Sequence, residues 1–215
     1  MVITAIVTVL AAYFLGSINF AVIFAKAFLK KDVRNLGSGN AGTTNVMRTV
    51  GFLPGALTFI CDALKGFVAV FIGKTVFDYI LTTSGDVWAQ PIYGAYICGV
   101  ACMLGHVFPI FFQFKGGKGV ATSVGIFAVC SPIAIIIGLT VFAVCLLVSK
   151  VVSLSSLIAT LTVVICSAVF YDTSAALLPQ ILLSCVMGII VVLKHKENIK
   201  RIISGTESKI GKGRK

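Results

Sequence analysis

Charge is what this 215-residue chain has least of: charged residues make up 12% of it and hydrophobic ones 58%. A soluble domain carries roughly twice that charge. With a mean hydropathy of +1.06, a soluble globular fold is excluded and a bilayer-embedded chain remains. At about 20 residues per spanning helix, the length leaves almost nothing for a separate soluble domain, so residues 1–215 read as one membrane-embedded domain. The first 25 residues hold no lysine or arginine and run into Lys26, Lys30, Lys31 and Arg34. A cleavable signal peptide has its basic residues at the start, so Met1 to Ala25 is expected to be a retained helix. The seven cysteines all fall in apolar stretches without CxxC pairs or histidine partners, which argues against a disulfide framework or a zinc site.

What is present is a series of apolar runs: Val2 to Phe24, Phe52 to Phe77, Ile92 to Phe112, Gly119 to Cys130, Ile133 to Val148, Leu154 to Tyr171 and Ala176 to Leu193. The expected fold is all-α with seven transmembrane helices. The fourth and fifth runs are short and parted only by Ser131 and Pro132, so a bent hairpin that does not fully cross is the alternative there. With seven spans, 16 of the 18 lysines and arginines collect on one side, while Asp78, Asp86 and Asp172 lie on the other. Cations in short loops stay cytoplasmic, which puts the N-terminus outside and the C-terminus in the cytoplasm. The net charge of +11 follows from this topology together with attraction to anionic lipid.

The cytoplasmic loops carry the chemistry. The first contains Gly37-Ser38-Gly39-Asn40-Ala41-Gly42-Thr43-Thr44-Asn45-Val46-Met47-Arg48. Glycines there let successive backbone N–H groups turn toward an anion. Gly37, Gly39 and Gly42 match a dinucleotide fingerprint, with Asp62 at the distance of its acid, but a basic loop after a membrane helix replaces the strand that fold requires. The second runs from Gly105 and His106 through Lys115-Gly116-Gly117-Lys118-Gly119 to Thr122. It resembles a phosphate loop opening a helix, where N–H groups and the helix dipole favour an anion. A Walker A loop is excluded, because Phe112 stands where its first glycine belongs and Gly119 follows the lysine. After the last span, Lys194, His195, Asn198 and Arg201 share one helical face, a candidate oxyanion-binding surface. Asp62 and Lys65 lie about ten residues into the second span, roughly 15 Å deep. Their i, i+3 spacing allows an ion pair, and a direct substrate role is the alternative.

These loops, together with Cys61-Asp62-Ala63-Leu64-Lys65-Gly66, resemble the motif set of the bacterial acyl-phosphate-dependent glycerol-3-phosphate acyltransferases, the PlsY family. The likeness runs from Gly16-Ser17-Ile18 to Gly205-Thr206-Glu207, essentially the whole chain. Asn19 departs from it, standing where many members are expected to have proline. The resemblance implies acyl transfer from acyl phosphate to the sn-1 hydroxyl of glycerol 3-phosphate, giving lysophosphatidic acid and phosphate, the first acylation of phospholipid synthesis. It implies a multi-pass protein of the bacterial inner membrane, working at the cytoplasmic face and coupled to an enzyme that makes acyl phosphate. Ser38, Arg48, His195 and Asn198 match its catalytic positions.

Phosphate binding is expected of Asn40, Thr43, Asn45, Lys115, Gly116, Gly117, Lys118, Gly119 and Arg201, with support from Asp62, Lys65, His106 and Glu207. The residues of the loops fit this reaction. Acyl phosphate is a mixed anhydride with a good leaving group, so no cofactor or metal is called for, and two phosphorylated substrates need cations and N–H donors close together. The glycine-rich second loop is the expected site of glycerol 3-phosphate, and Ser38 and Arg48 that of the acyl phosphate. The resemblance implies that a substrate phosphate takes the proton, with His195 and Asn198 positioning, and His195 is the alternative base. The partners are the two substrates and membrane lipid, with no nucleic acid. A membrane transporter of an organic phosphate is the competing class, but the polar motifs crowd one membrane face instead of the midplane, and no internal repeat is visible.

Overall fold

The computed structural model describes residues 1–170 and 174–211, and among these every regular element is helical. Asp172, Lys212, Arg214 and Lys215, counted in the charge asymmetry above, lie outside the described residues. The chain packs as two compact units, Met1–Cys130 and Ser131–Lys215.

The first unit holds α1 (Val2–Gly16), α2 (Phe20–Leu29), α3 (Thr43–Thr49), α4 (Phe52–Ser84), α5 (Pro91–Val107) and α6 (Val120–Cys130). Helix α4 is its centre, packed against α1, α5 and α6. Small residues sit where helices cross: Gly16 lies on the backbone of Cys102, and Gly73 on that of Gly94, with no room for a Cβ at either glycine. Lipid gives helices no hydrophobic reason to associate, and close backbone approach through small residues supplies the attraction instead. Large apolar side chains such as Leu10, Ile60, Leu64 and Phe71 point outward and are exposed, the inverse of a soluble fold.

The single helix expected from Met1 to Ala25 is corrected to two. Residues 17–19 leave the helix, and α2 begins with the Asn19 side chain accepting from the Val22 N–H at 3.2 Å. Carbonyls released by such a break need donors inside a bilayer. Lys65 supplies them, donating from Nζ to the Gly16 oxygen at 2.9 Å and the Ile18 oxygen at 2.7 Å.

The second unit holds α7 (Pro132–Ser149), α8 (Val152–Val169), α9 (Ser174–Lys194) and α10 (Lys196–Ile203). Helices α7 and α8 pack as a hairpin around Lys150, which takes a left-handed φ of 60°. Gln180 of α9, 2% exposed, donates to the Ser167 and Phe170 carbonyls and holds the far end of α8.

Six segments among the described residues are long and apolar enough to cross a membrane: Val2–Leu29, Phe52–Ser84, Pro91–Phe112, Pro132–Ser149, Val152–Val169 and Leu177–Lys194. The remaining apolar helix, α6, has 11 residues. At 1.5 Å per residue it is about 16 Å long, against about 30 Å of hydrocarbon.

Candidate functional site

The first loop is organised by a side chain that never meets solvent. Asn45 on α3 is 2% exposed. Its amide donates to the carbonyls of Val33 at 3.1 Å, Leu36 at 2.9 Å and Asn40 at 3.0 Å, and its oxygen accepts the Ser38 N–H at 3.0 Å. Gly37, at φ +57°, packs directly on that oxygen and has no room for a Cβ. Asn45 was expected among the phosphate ligands, but its hydrogen-bonding groups are spent on closing the loop. That closure leaves Ser38 and Arg48 exposed and Asn40 half-buried. Thr43 keeps a buried hydroxyl oxygen with no hydrogen-bond partner among the described residues. Below the loop, Ala21, Val22 and Ala25 of α2 form an apolar floor with Val33, Ala41 and Val46, and Phe112 of the second loop packs against it.

The second loop turns through Gln113 and Phe114, both left-handed at φ 60° and 58°. This is a strained course for two residues with side chains. Lys115 is exposed, Lys118 half-buried, and Gly117 and Gly119 buried. Gly117 donates its N–H to the His106 carbonyl at 3.1 Å. A Cβ at Gly117 would collide with His106 Nε2 and come within 2.8 Å of the Ala41 oxygen, so only glycine lets this loop seat between α5 and the first loop. Arg34 fastens the two loops together. It grips Asp32 through Nε and Nη2, donates from Nη1 to the Phe112 carbonyl at 2.8 Å, and lies over the Phe112 ring. The guanidinium hydrogen bonds, set against a smaller cost of burial, hold the Asp32 carboxyl below the usual range.

Behind the second loop, Asp62, Lys65 and His106 are all nearly inaccessible. Lys65 Nζ is 2.8 Å from Asp62 Oδ1, so the ion pair that the i, i+3 spacing allowed is formed, and His106 Nδ1 approaches the same oxygen at 3.5 Å.

In the second unit, α9 stops at Lys194 and α10 starts at Lys196, with His195 at the corner. The uninterrupted helical face expected through Lys194, His195, Asn198 and Arg201 is therefore broken, and His195 and Asn198 are 2% and 7% exposed. His195 Nδ1 lies 2.8 Å from the Val191 carbonyl. Against an acceptor that nitrogen must carry hydrogen, which leaves the Nε2 lone pair as the basic site of the neutral ring. Glu207 gathers three donors: Asn198 Nδ2 at 2.7 Å and Ser153 Oγ at 2.8 Å on Oε1, and Arg201 Nε at 2.6 Å on Oε2. Burial raises the Glu207 pKa, but these three hydrogen bonds together hold it below the ordinary carboxylate value. Arg201, expected as a phosphate ligand, is thus committed through Nε to a carboxylate. The tail is pinned further by the Ile210 N–H on the Lys150 carbonyl at 2.8 Å.

The structure brings Ser38, Asn40, Thr43, Asn45, Arg48 and the Lys115–Gly119 loop to one end of the first unit, and gathers His195, Asn198, Arg201 and Glu207 in the second. Sequence reading missed Arg34, Phe112 and Ser153. Of these only Arg34 gave a signal, as a cation two residues from the loop's lone acid. No group of three or more His, Cys, Asp or Glu suited to a metal occurs among the described residues.

Fold and loops define the class: a multi-pass helical membrane protein whose polar groups are concentrated in short segments at helix ends. Residues 6–205 match the family described as glycerol-3-phosphate acyltransferase. Curated relatives of that name include one from Thermoanaerobacter sp. (strain X514), 39% identical with 96% of each chain covered. Glycerol-3-phosphate acyltransferase 2 of Bacillus anthracis is 41% identical, covering 95% of this chain and 98% of its own. Among solved structures, PlsY (YgiH), described as an integral membrane glycerol 3-phosphate acyltransferase, superposes in its glycerol 3-phosphate form with a TM-score of 0.81 at 36% identity, with 96% of each chain covered. Its lysophosphatidic acid form gives 0.77. The chain belongs to the glycerol-3-phosphate acyltransferase family.

Proposed function

We propose that this protein transfers an acyl chain from acyl phosphate to the sn-1 hydroxyl of glycerol 3-phosphate, releasing lysophosphatidic acid and inorganic phosphate. The observation that carries the reading is the seating of Gly117 against Ala41, which sets two glycine-rich loops side by side with Arg48 and Lys115 exposed. Two phosphorylated substrates reacting with each other need such a pair of neighbouring anion sites. The backbone of Gly116 to Gly119, with Lys115 and Lys118, takes the phosphate of glycerol 3-phosphate, and Ser38 and Arg48 take the acyl phosphate group. Asn45 shapes the loop without touching substrate.

The hydroxyl oxygen attacks the acyl carbonyl carbon, the carbon–oxygen bond to phosphate breaks, and the departing phosphate carries away the hydroxyl proton. Placement and charge stabilisation then account for the catalysis, with no enzyme-bound acyl intermediate. His195 and Asn198 serve the reaction by positioning, a role carried over from the family resemblance. The same reading gives seven membrane crossings with the N-terminus outside, the loops and C-terminus on the cytoplasmic face of a bacterial inner membrane, and supply by an acyl-phosphate-forming enzyme. The purified protein, given labelled glycerol 3-phosphate and acyl phosphate, acyl-CoA or acylated carrier protein in parallel, should form product from acyl phosphate. Equal or greater turnover with acyl-CoA overturns the donor assignment.

A further inference from the structure

Asp62, Lys65 and His106 form one buried chain of contacts that reaches both loops. At one end, Lys65 donates from Nζ to the Gly16 and Ile18 carbonyls and pairs its charge with Asp62 Oδ1 at 2.8 Å. It also lies 5.7 Å from the centre of the Phe20 ring, the first residue of α2. Helix α2 carries Ala21, Val22 and Ala25, the floor on which Val33, Ala41 and Val46 of the first loop rest. At the other end, Asp62 Oδ1 meets His106 Nδ1 at 3.5 Å. The opposite edge of that ring, Nε2, is what Gly117 packs against, and the His106 carbonyl receives the Gly117 N–H. All three side chains are buried, and a charge pair at membrane depth is expensive unless the fold uses it.

Resting on the function proposed above, we infer that Asp62 and Lys65 are positioning residues which set the spacing between the two phosphate-binding loops, with His106 as the strut to the second. Lys65 fixes where α2 starts and hence the height of the first loop. Asp62 fixes the imidazole on which the second loop sits. A displacement of about 1 Å between reacting groups costs on the order of a hundredfold in rate, so this spacing bears directly on turnover.

The test uses the full chain in detergent or nanodiscs, with kinetics referred to folded protein. The paired substitution Asp62→Asn with Lys65→Met keeps the interior neutral. It should lower kcat/KM by about a hundredfold with KM raised for both substrates. His106→Asn leaves the ion pair in place and should raise KM for glycerol 3-phosphate at least tenfold while leaving KM for acyl phosphate within threefold. This second variant carries the test if the paired one does not fold. A fall in kcat/KM of less than tenfold in the folded paired variant, or any other KM pattern in His106→Asn, overturns the inference. A parent protein inactive with acyl phosphate and glycerol 3-phosphate overturns the proposed function instead.

Discussion

The segment around Asn45 in the first unit and the segment around Glu207 in the second hold their polar residues by opposite means. In the first, the loop is closed by a neutral amide, Asn45, which takes four backbone partners, while Arg48 stands exposed beside it. In the second, a carboxylate, Glu207, draws in Asn198, Arg201 and Ser153. A neutral organiser leaves the neighbouring cation available to a ligand. A charged one commits its neighbours and ties their arrangement to pH. The identity of the organiser therefore separates a cation left exposed, Arg48, from one held by a carboxylate, Arg201.

The sharpest way to break this contrast is Arg48→Ala. A cation that contributes only to ligand and transition state should lower kcat/KM by about a thousandfold when removed, the scale of one lost charge-assisted contact of several kcal/mol. Unfolding should be unaffected, as for other exposed positions. Arg48→Lys should recover little, because a planar fork is replaced by a point charge. A large loss of stability in Arg48→Ala would make it framework.

Asn45→Ala should act differently. It removes the amide that ties Val33, Leu36, Ser38 and Asn40 together, so activity should fall about a hundredfold together with faster hydrogen exchange across residues 33–49.

Glu207→Gln should have the smallest effect, a loss of a few degrees in melting temperature, and it should change the pH dependence. Because the folded pKa of Glu207 is lowered, its contribution to stability is fully present above the ordinary carboxylate value of about 4.3 and is lost as pH falls through the folded value. Melting curves between pH 7 and pH 3 should show a steeper acid decline in the parent than in Glu207→Gln. Equal declines would remove Glu207 as the charged organiser.

Much of this was legible in the residues themselves. Apolar runs located the helices because in lipid a spanning segment must satisfy its own backbone, and the i, i+3 spacing of Asp62 and Lys65 gave their ion pair. The break at residues 17–19 was not legible. Its stability depends on Lys65, 47 residues beyond Ile18, and no local propensity encodes a donor that arrives from another helix. The left-handed Gln113 and Phe114 were hidden for a similar reason, since neither residue type announces that backbone and the surrounding packing imposes it. Ser153 was hidden as a serine inside an apolar helix, where its partner lies 54 positions away. Asn45 was visible as a polar residue in a loop, but its type cannot tell a ligand from a strut. That distinction depends on burial.

The dependence of the Ser17–Asn19 break on Lys65 has a consequence for biogenesis. Inside the bilayer, the break within residues 2–29 frees two carbonyls whose donor comes from residues 52–84, and the ammonium carried there finds both of its carbonyl acceptors on the earlier segment. Neither segment is complete as a single inserted helix, and each satisfies the other. Insertion of the two spans as a pair meets both needs at once.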